Sequence, residues 1–297
     1  DNGLERTTLG HTEDLEAIVR QHEPELVLVS LPAAMHKLIT EIRTRLRRLG
    51  VPDRFMPTLE DQLAGIGPRS RFEIDPATLL DREPCKVDHA SIEQMVAGKC
   101  VAITGAGGSI GRELARMTCR YNPAHLVLID RAEHALFEVD RQVARLTPDI
   151  ERTALLHDVV HAQQTLTHFE RLQPDVIFHA AAHKHVPMME DHPGAAVDNN
   201  LFGTKSVADA ADAVNAERFV MISTDKAVNP SSIMGATKRL AELYVQWMNH
   251  ESSTDFAMVR FGNVLGSSGS VLEVWSQQIE QGGPITVTDP MMQRYFM

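Results

Sequence analysis

From residue 100 onward, apolar runs of strand length recur at 100–104, 126–130, 153–158, 175–180, 218–224 and 256–261. Helical stretches lie between most of them, among them 110–121, 132–146 and 195–214. A strand that is apolar at nearly every position is buried on both faces, and such strands joined by helices make a parallel sheet covered on both sides. Right-handed crossovers then predict a doubly wound α/β sheet, with ligands at the carboxyl ends of its strands.

The 297 residues allow one large or two modest domains, and 43% hydrophobic residues are enough for a sizeable core. The first third reads as a helix over 11–22, a strand over 25–30 and a helix over 33–49 closed by Gly50, followed by an extended piece over 51–57. Arg43, Arg45, Arg47 and Arg48 crowd the second helix, either as a solvated face or as an anion site. Pro68, Pro76 and Pro84 punctuate a weak stretch that reads as a linker. The division expected is therefore a partial N-terminal unit over 1–64, a linker over 65–96 and a main domain over 97–297.

A net charge of −11 argues against non-specific binding of nucleic acid or anionic membranes. Cys85, Cys100 and Cys119, odd in number and without C-x-x-C spacing, read as reduced thiols of a cytoplasmic protein. No run approaches the roughly 20 apolar residues that span a bilayer.

The first strand of the main domain runs into Gly105-Ala106-Gly107-Gly108-Ser109-Ile110-Gly111 and then a helix. The spacing is G-x-x-G-x-x-G; Ile110 stands where the G-x-G-x-x-G pattern has its third glycine. Gly105 permits the tight turn, Gly108 a close approach of backbone to a pyrophosphate, and Gly111 tight packing of helix on strand. This is a Rossmann-type dinucleotide turn. Asp130 ends the second strand, 19 residues beyond Gly111, where a carboxylate accepts from a ribose and repels a 2′-phosphate. That favours NAD over NADP, although Arg131 beside it could pair with a phosphate. Asp158 ends the third strand, facing the adenine or capping the next helix.

The fifth strand of this series ends in Ser223-Thr224-Asp225-Lys226, and Ala227-Val228-Asn229-Pro230-Ser231-Ser232-Ile233-Met234-Gly235-Ala236-Thr237-Lys238 follows. With Thr104 through Gly111, His179-Ala180-Ala181-Ala182-His183-Lys184-His185-Val186-Pro187, Asn200-Leu201-Phe202-Gly203-Thr204 and Arg260-Phe261-Gly262-Asn263-Val264-Leu265-Gly266-Ser267, these segments span nearly all of 99–297. Here the sequence resembles the extended short-chain dehydrogenase/reductase family. Within it the chain is most similar to the polysaccharide-biosynthesis nucleotide-sugar dehydratases, the UDP-N-acetylglucosamine 4,6-dehydratases of the large membrane-anchored type. The first third resembles the second half of the nucleotide-binding-like domain that precedes the dehydratase domain there.

The resemblance implies a lyase that uses bound NAD and a UDP-sugar in capsule or O-antigen synthesis. Hydride leaves C4 of the sugar, the C5 proton and the C6 hydroxyl are eliminated, and hydride returns to C6 to give a 4-keto-6-deoxy sugar. By that resemblance Thr224 holds the 4-oxygen, Asp225 is the acid toward the C6 oxygen and Lys226 is the C5 base. Val159, Ala180 and Ala181 line the dinucleotide together with Gly105, Gly108, Ser109, Ile110, Gly111, Asp130, Arg131 and Asp158. Asn200 bridges helix and strand backbone, unless it is an ordinary buried amide, and Lys238 binds the nicotinamide ribose. Lys184, His185, Arg260 and Asn263 face the substrate, as does the glycine-bearing stretch 266–270. His183 and His185 form His-x-His without a third ligand, so no metal is expected.

One position departs from the superfamily. Its Y-x-x-x-K pair is Met234-x-x-x-Lys238 here, and a thioether exchanges no proton. Either Thr224 and Asp225 relay the 4-hydroxyl proton, as in the large dehydratases that also carry Met, or catalysis has been lost. The other readings are a 4-epimerase, which would want Tyr at 234, and a non-catalytic NAD-binding module. A parent protein at the cytoplasmic face of the bacterial inner membrane is also implied, with transmembrane helices before Asp1 and more sugar-binding domain after Met297; a homo-oligomer stays open.

Overall fold

In the computed structural model the described residues are 9–32, 35–56, 58, 87–264, 271–280, 284–287, 289, 291, 293, 295 and 296. The chain divides into two units, Asp1–Arg82 with Ile279–Gly283, and Glu83–Gln278 with Pro284–Met297.

In the first unit α1 (Leu15–His22), β1 (Val27–Val29), α2 (His36–Arg48) and β2 (Asp53–Phe55) follow in order, and β1 pairs with β2 in parallel. Ile39, Ile42 and Leu46 recur on one face of α2 and bury against Val19 and Val29. Gly50, at φ +74°, closes the helix in the left-handed region where glycine is unstrained. Arg43 is paired with Asp53, and Arg45 bonds Glu16 and the carbonyls of Thr12 and Glu13. Two of the four clustered arginines thus tie the unit's own elements together.

The second unit opens with α3 (His89–Val96), inside the stretch expected to be linker. The Asp88 side chain caps it, accepting from the Ser91 amide at 3.2 Å. Ile92, Met95 and Val96, spaced as one helical face, pack against Val101 and Tyr121. The prolines upstream hid that short face; residues 59–86, with Cys85 and the three prolines, lie outside the described residues.

Strands β3 (Cys100–Thr104), β4 (His125–Asp130), β5 (Glu151–Leu156), β6 (Val176–His179), β7 (Arg218–Thr224) and β8 (Asp255–Phe261) form one parallel sheet in the order β5-β4-β3-β6-β7-β8. Alternate residues of the central strands go to opposite faces. Val101, Ile103, Leu126 and Leu128 pack under α3, α4 (Ser109–Thr118) and α5 (Glu133–Leu146). Ala102, Val127, Ile129 and Phe219 pack under α6 (Ala162–Leu172), α8 (Gly203–Ala213) and α9 (Ile233–Glu251). A short helix α7 (Val186–Asp191) follows β6. The stretch read as one helix over 195–214 is a single α-turn Pro193–Ala196, a π-turn Val197–Phe202 and α8.

Strand order runs outward from β3 in one direction and from β6 in the other, so the crevice between their carboxyl ends is the switch point where such sheets bind ligands. Among the described residues, no helix is long and apolar enough to cross a membrane.

Candidate active site

The glycine turn sits at that crevice. A Cβ on Gly105, whose φ is +65°, would lie 2.7 Å from the Ala181 nitrogen, so the turn and the segment after β6 touch backbone to backbone. A Cβ on Gly111 would lie 2.1 Å from the Gly105 carbonyl oxygen. Gly107, to which sequence reasoning gave no role, is as constrained: its Cβ would fall 2.5 Å from that of Ala135 on α5. The doubled glycine at 107–108 was the available signal. Helix α4 starts from Gly108 with no side-chain cap, so its dipole and first-turn amides face the crevice.

Gly105, Gly108, Asp130, Arg131, Asp158, Val159, Ala180 and Ala181 together line one cleft, with His183 beside them. Both Asp130 oxygens are engaged, Oδ2 by the Gly107 amide at 2.9 Å and Oδ1 by the Ala132 amide at 2.9 Å. Each oxygen keeps a further lone pair for a ligand hydroxyl. Asp158 accepts from the Val160 amide at 3.2 Å and does not cap α6, whose N-cap is His161. Arg131 spans the cleft from Asp158 (3.4 Å) to His183 Nε2 (3.0 Å), so its charge is already shared with a carboxylate.

A second cluster forms at the end of β7. The Thr224 hydroxyl donates to Asp225 Oδ1 at 3.0 Å and accepts from the Lys226 amide. Lys226 Nζ bonds Asp225 at 2.9 Å and Asn263 Oδ1 at 3.3 Å. Burial pushes the Asp225 carboxyl up, but the hydrogen bonds from Lys226 and Thr224 together outweigh it and hold it below its ordinary value. Lys238, on α9, is buried and donates to the Ile222 carbonyl at 2.8 Å. Burial lowers its pKa to about 8, against the opposing pull of Glu242. Met234 is buried with Met189 and Ala196 in an apolar cluster, so this turn of α9 offers a thioether and no hydroxyl there.

Arg260, expected to face the substrate, is exposed, and its guanidinium grips Glu242 in a two-pronged pair, Nε to Oε1 at 2.7 Å and Nη2 to Oε2 at 2.6 Å. Glu242 is fully buried and also accepts from Ser223 and Arg239, which brings its pKa down to about 2 although burial alone would raise it. Such a carboxylate, four residues beyond Lys238, claims the nearest cations, and sequence reasoning did not mark it. Lys184 and His185 are exposed after β6, outside the cleft lining. Asn200 bonds the His183 amide and carbonyl and the Thr237 hydroxyl, bridging the post-β6 loop and α9. The stretch 266–270 lies outside the described residues. Among the described residues, no group of three or more His, Cys, Asp or Glu is placed to hold a metal ion.

The family model described as "Polysaccharide biosynthesis protein" matches residues 101–297. The capsular polysaccharide biosynthesis protein CapD of Staphylococcus aureus is 40% identical over 291 residues, 97% of this chain and 49% of that protein. An inverting UDP-N-acetylglucosamine 4,6-dehydratase of Campylobacter jejuni is 32% identical, over 68% of this chain and 60% of that one. The chain spans about half the length of the two curated relatives it matches over most of its residues. Among solved structures, a Streptomyces venezuelae dTDP-glucose 4,6-dehydratase crystallised with NAD superposes at a TM-score of 0.58, with 19% identity, covering 66% of this chain and 67% of that one; it shares the fold.

Proposed function

Because this chain belongs to the polysaccharide biosynthesis protein family, among the nucleotide-sugar dehydratases of the extended short-chain dehydrogenase/reductases, we propose that its second unit is the NAD-binding and catalytic part of a UDP-N-acetylglucosamine 4,6-dehydratase. The observation that carries the reading is the Thr224, Asp225 and Lys226 cluster, which joins a hydroxyl, a carboxylate and an amine at one strand end.

The crevice fits a dinucleotide. Its glycine turn has no room for a Cβ at Gly105 or Gly111, a helix N-terminus faces the pyrophosphate position, and the fixed Asp130 carboxylate suits a ribose with a free 2′-hydroxyl. When bound, NAD would take hydride from C4 and return it to C6.

The chain's own residues account for the protons. Asp225 is ionised in the free protein, so it can receive the 4-hydroxyl proton through Thr224, the task that Met234 cannot perform. Protonated Asp225 is then the acid that releases the C6 hydroxyl as water. Lys226 gives its ammonium proton to solvent before the elimination, takes the C5 proton as the free amine and returns it to C5, and a solvent proton then restores its pair with Asp225. One proton passes from O4 to O6, another leaves and rejoins C5, and the balance closes. Asn263 orients Lys226.

The first unit, a parallel β1-α2-β2 piece, is read as part of a Rossmann-like domain. Incubating the protein with UDP-N-acetylglucosamine and NAD tests the proposal. Loss of water and a 4-keto, 6-methyl sugar by mass spectrometry and NMR are expected, and unchanged substrate would overturn it.

A further inference from the structure

Five polar residues that the catalytic reading leaves unused, or uses only in part, form one buried chain. Thr104, His179, Asn200 and Thr204 are wholly inaccessible, and Thr237 is 2% exposed. Thr104 Oγ1 lies 2.7 Å from His179 Nδ1, and His179 Nε2 lies 2.9 Å from Thr204 Oγ1. Thr204 Oγ1 donates to the Asn200 carbonyl at 2.7 Å. The Asn200 amide donates to Thr237 Oγ1 at 3.2 Å, which donates to the Met234 carbonyl at 2.9 Å.

Counting protons fixes the direction. Thr204 has one hydroxyl hydrogen, and the Asn200 carbonyl takes it, so Thr204 must accept from His179. His179 is therefore the neutral tautomer with hydrogen on Nε2, and its bare Nδ1 accepts from the Thr104 hydroxyl. Burial first, and the nearby Lys238 second, lower its pKa to about 3, in keeping with a ring that carries no charge.

The two ends of this chain are the two halves of the site. Thr104 immediately precedes Gly105, and His179 immediately precedes Ala180 and Ala181, the backbone against which Gly105 closes. At the other end, the hydrogen bonds reach α9 between Met234 and Lys238. Asn200 makes its link from a π-turn, a local widening that recurs at functional sites. We infer that His179 is a positioning residue, the tautomer-locked link that holds the floor of the cofactor cleft in register with the helix carrying Lys238. The inference rests on the proposed function only for what the cleft binds.

Three measurements test it. The 15N shifts of His179 in the wild-type protein should show a bare Nδ1 and a protonated Nε2, unchanged from pH 5 to 8. Replacing His179→Phe keeps an aromatic ring beside Phe219, which the imidazole stacks upon at 5.8 Å, but leaves the Thr104 and Thr204 hydroxyls without the ring. It should weaken NAD binding by about tenfold in calorimetric titration, and His179→Gln, which can still donate to Thr204, should recover part of that loss. If His179→Phe fails to fold, Thr204→Val breaks the chain from the other side and should weaken NAD in the same way. A protonated Nδ1, a ring that titrates between pH 5 and 8, or NAD affinity within twofold of wild type in the folded variant would each overturn the inference. The shift and the titration do not depend on turnover, so a protein that makes no product would count against the proposed function and not against this one.

Discussion

At the ends of β3, β4 and β5 the site is mostly backbone, whereas at the ends of β7 and β8 it is made of charged side chains that hold one another. In the first region the carboxylates of Asp130 and Asp158 bind main-chain amides, Gly105, Gly107 and Gly111 leave no room for a Cβ, and Arg131 meets Asp158 only at the long distance of 3.4 Å. In the second, Asp225 is paired with Lys226, and Glu242 with Arg260 and Arg239. Backbone contacts are set once the chain folds and change little when a ligand enters. Ion pairs between side chains can be re-partnered, and proton transfer requires that. The comparison therefore separates a preformed binding half from a half whose charges must rearrange during the reaction.

The contrast breaks most sharply at Asp225. Asp225→Asn should lower turnover by about a thousandfold, the scale of a lost acid–base group, while NAD titrates as in wild type. Near-normal turnover would remove Asp225 from the mechanism. On the backbone side, Gly111→Ala should destabilise the fold by about 3 kcal/mol or more in urea unfolding, since its Cβ meets a carbonyl that cannot swing away.

Glu242→Gln asks whether the charged half also supports the fold. Leaving two arginines without their buried partner should cost about 2–3 kcal/mol, less than for a wholly buried pair because both guanidiniums reach solvent. The Lys238 pKa, which Glu242 holds up, should fall below about 8, and the corresponding limb of the activity profile should move to lower pH.

The smallest effect concerns acid. His157, at the end of β5, has its pKa lowered to about 4, first by burial and then by the charges of His168 and His161, against the opposing effect of Asp158. A histidine kept neutral by the fold contributes stability that is complete above the unfolded value near 6.5 and is lost as pH falls toward 4. His157 should account for on the order of 2 kcal/mol of the stability lost in thermal melts over that window, alongside the loss from His179, whose pKa burial lowers to about 3. His157→Gln should flatten the slope, and an unchanged slope would show that other groups set it.

Legibility followed the same division. The span 100–104 and the span 218–224 were readable to the residue because continuous apolar runs and glycine punctuation are local signals. Contacts between distant residues were not. Nothing in the spacing of Arg260 and Glu242 shows that a buried carboxylate claims the guanidinium. His179 stood in a recognised segment, yet its two threonine partners lie 75 and 25 residues away. The π-turn at Val197–Phe202 was hidden because a single six-residue turn, half of it Asp and Asn, is too short to show a period of its own within a longer helical stretch.

If the charged half carries a dehydration, a labelled hydrogen must travel from C4 to C6. UDP-N-acetylglucosamine with deuterium at C4 is incubated with the protein and NAD, and the label is followed by NMR. Deuterium is expected in the C6 methyl group of a 4-keto-6-deoxy product. Deuterium returned to C4 with inverted configuration would make the protein an epimerase, and label unmoved in unaltered substrate would leave it a binding module; either result would rule out the dehydration.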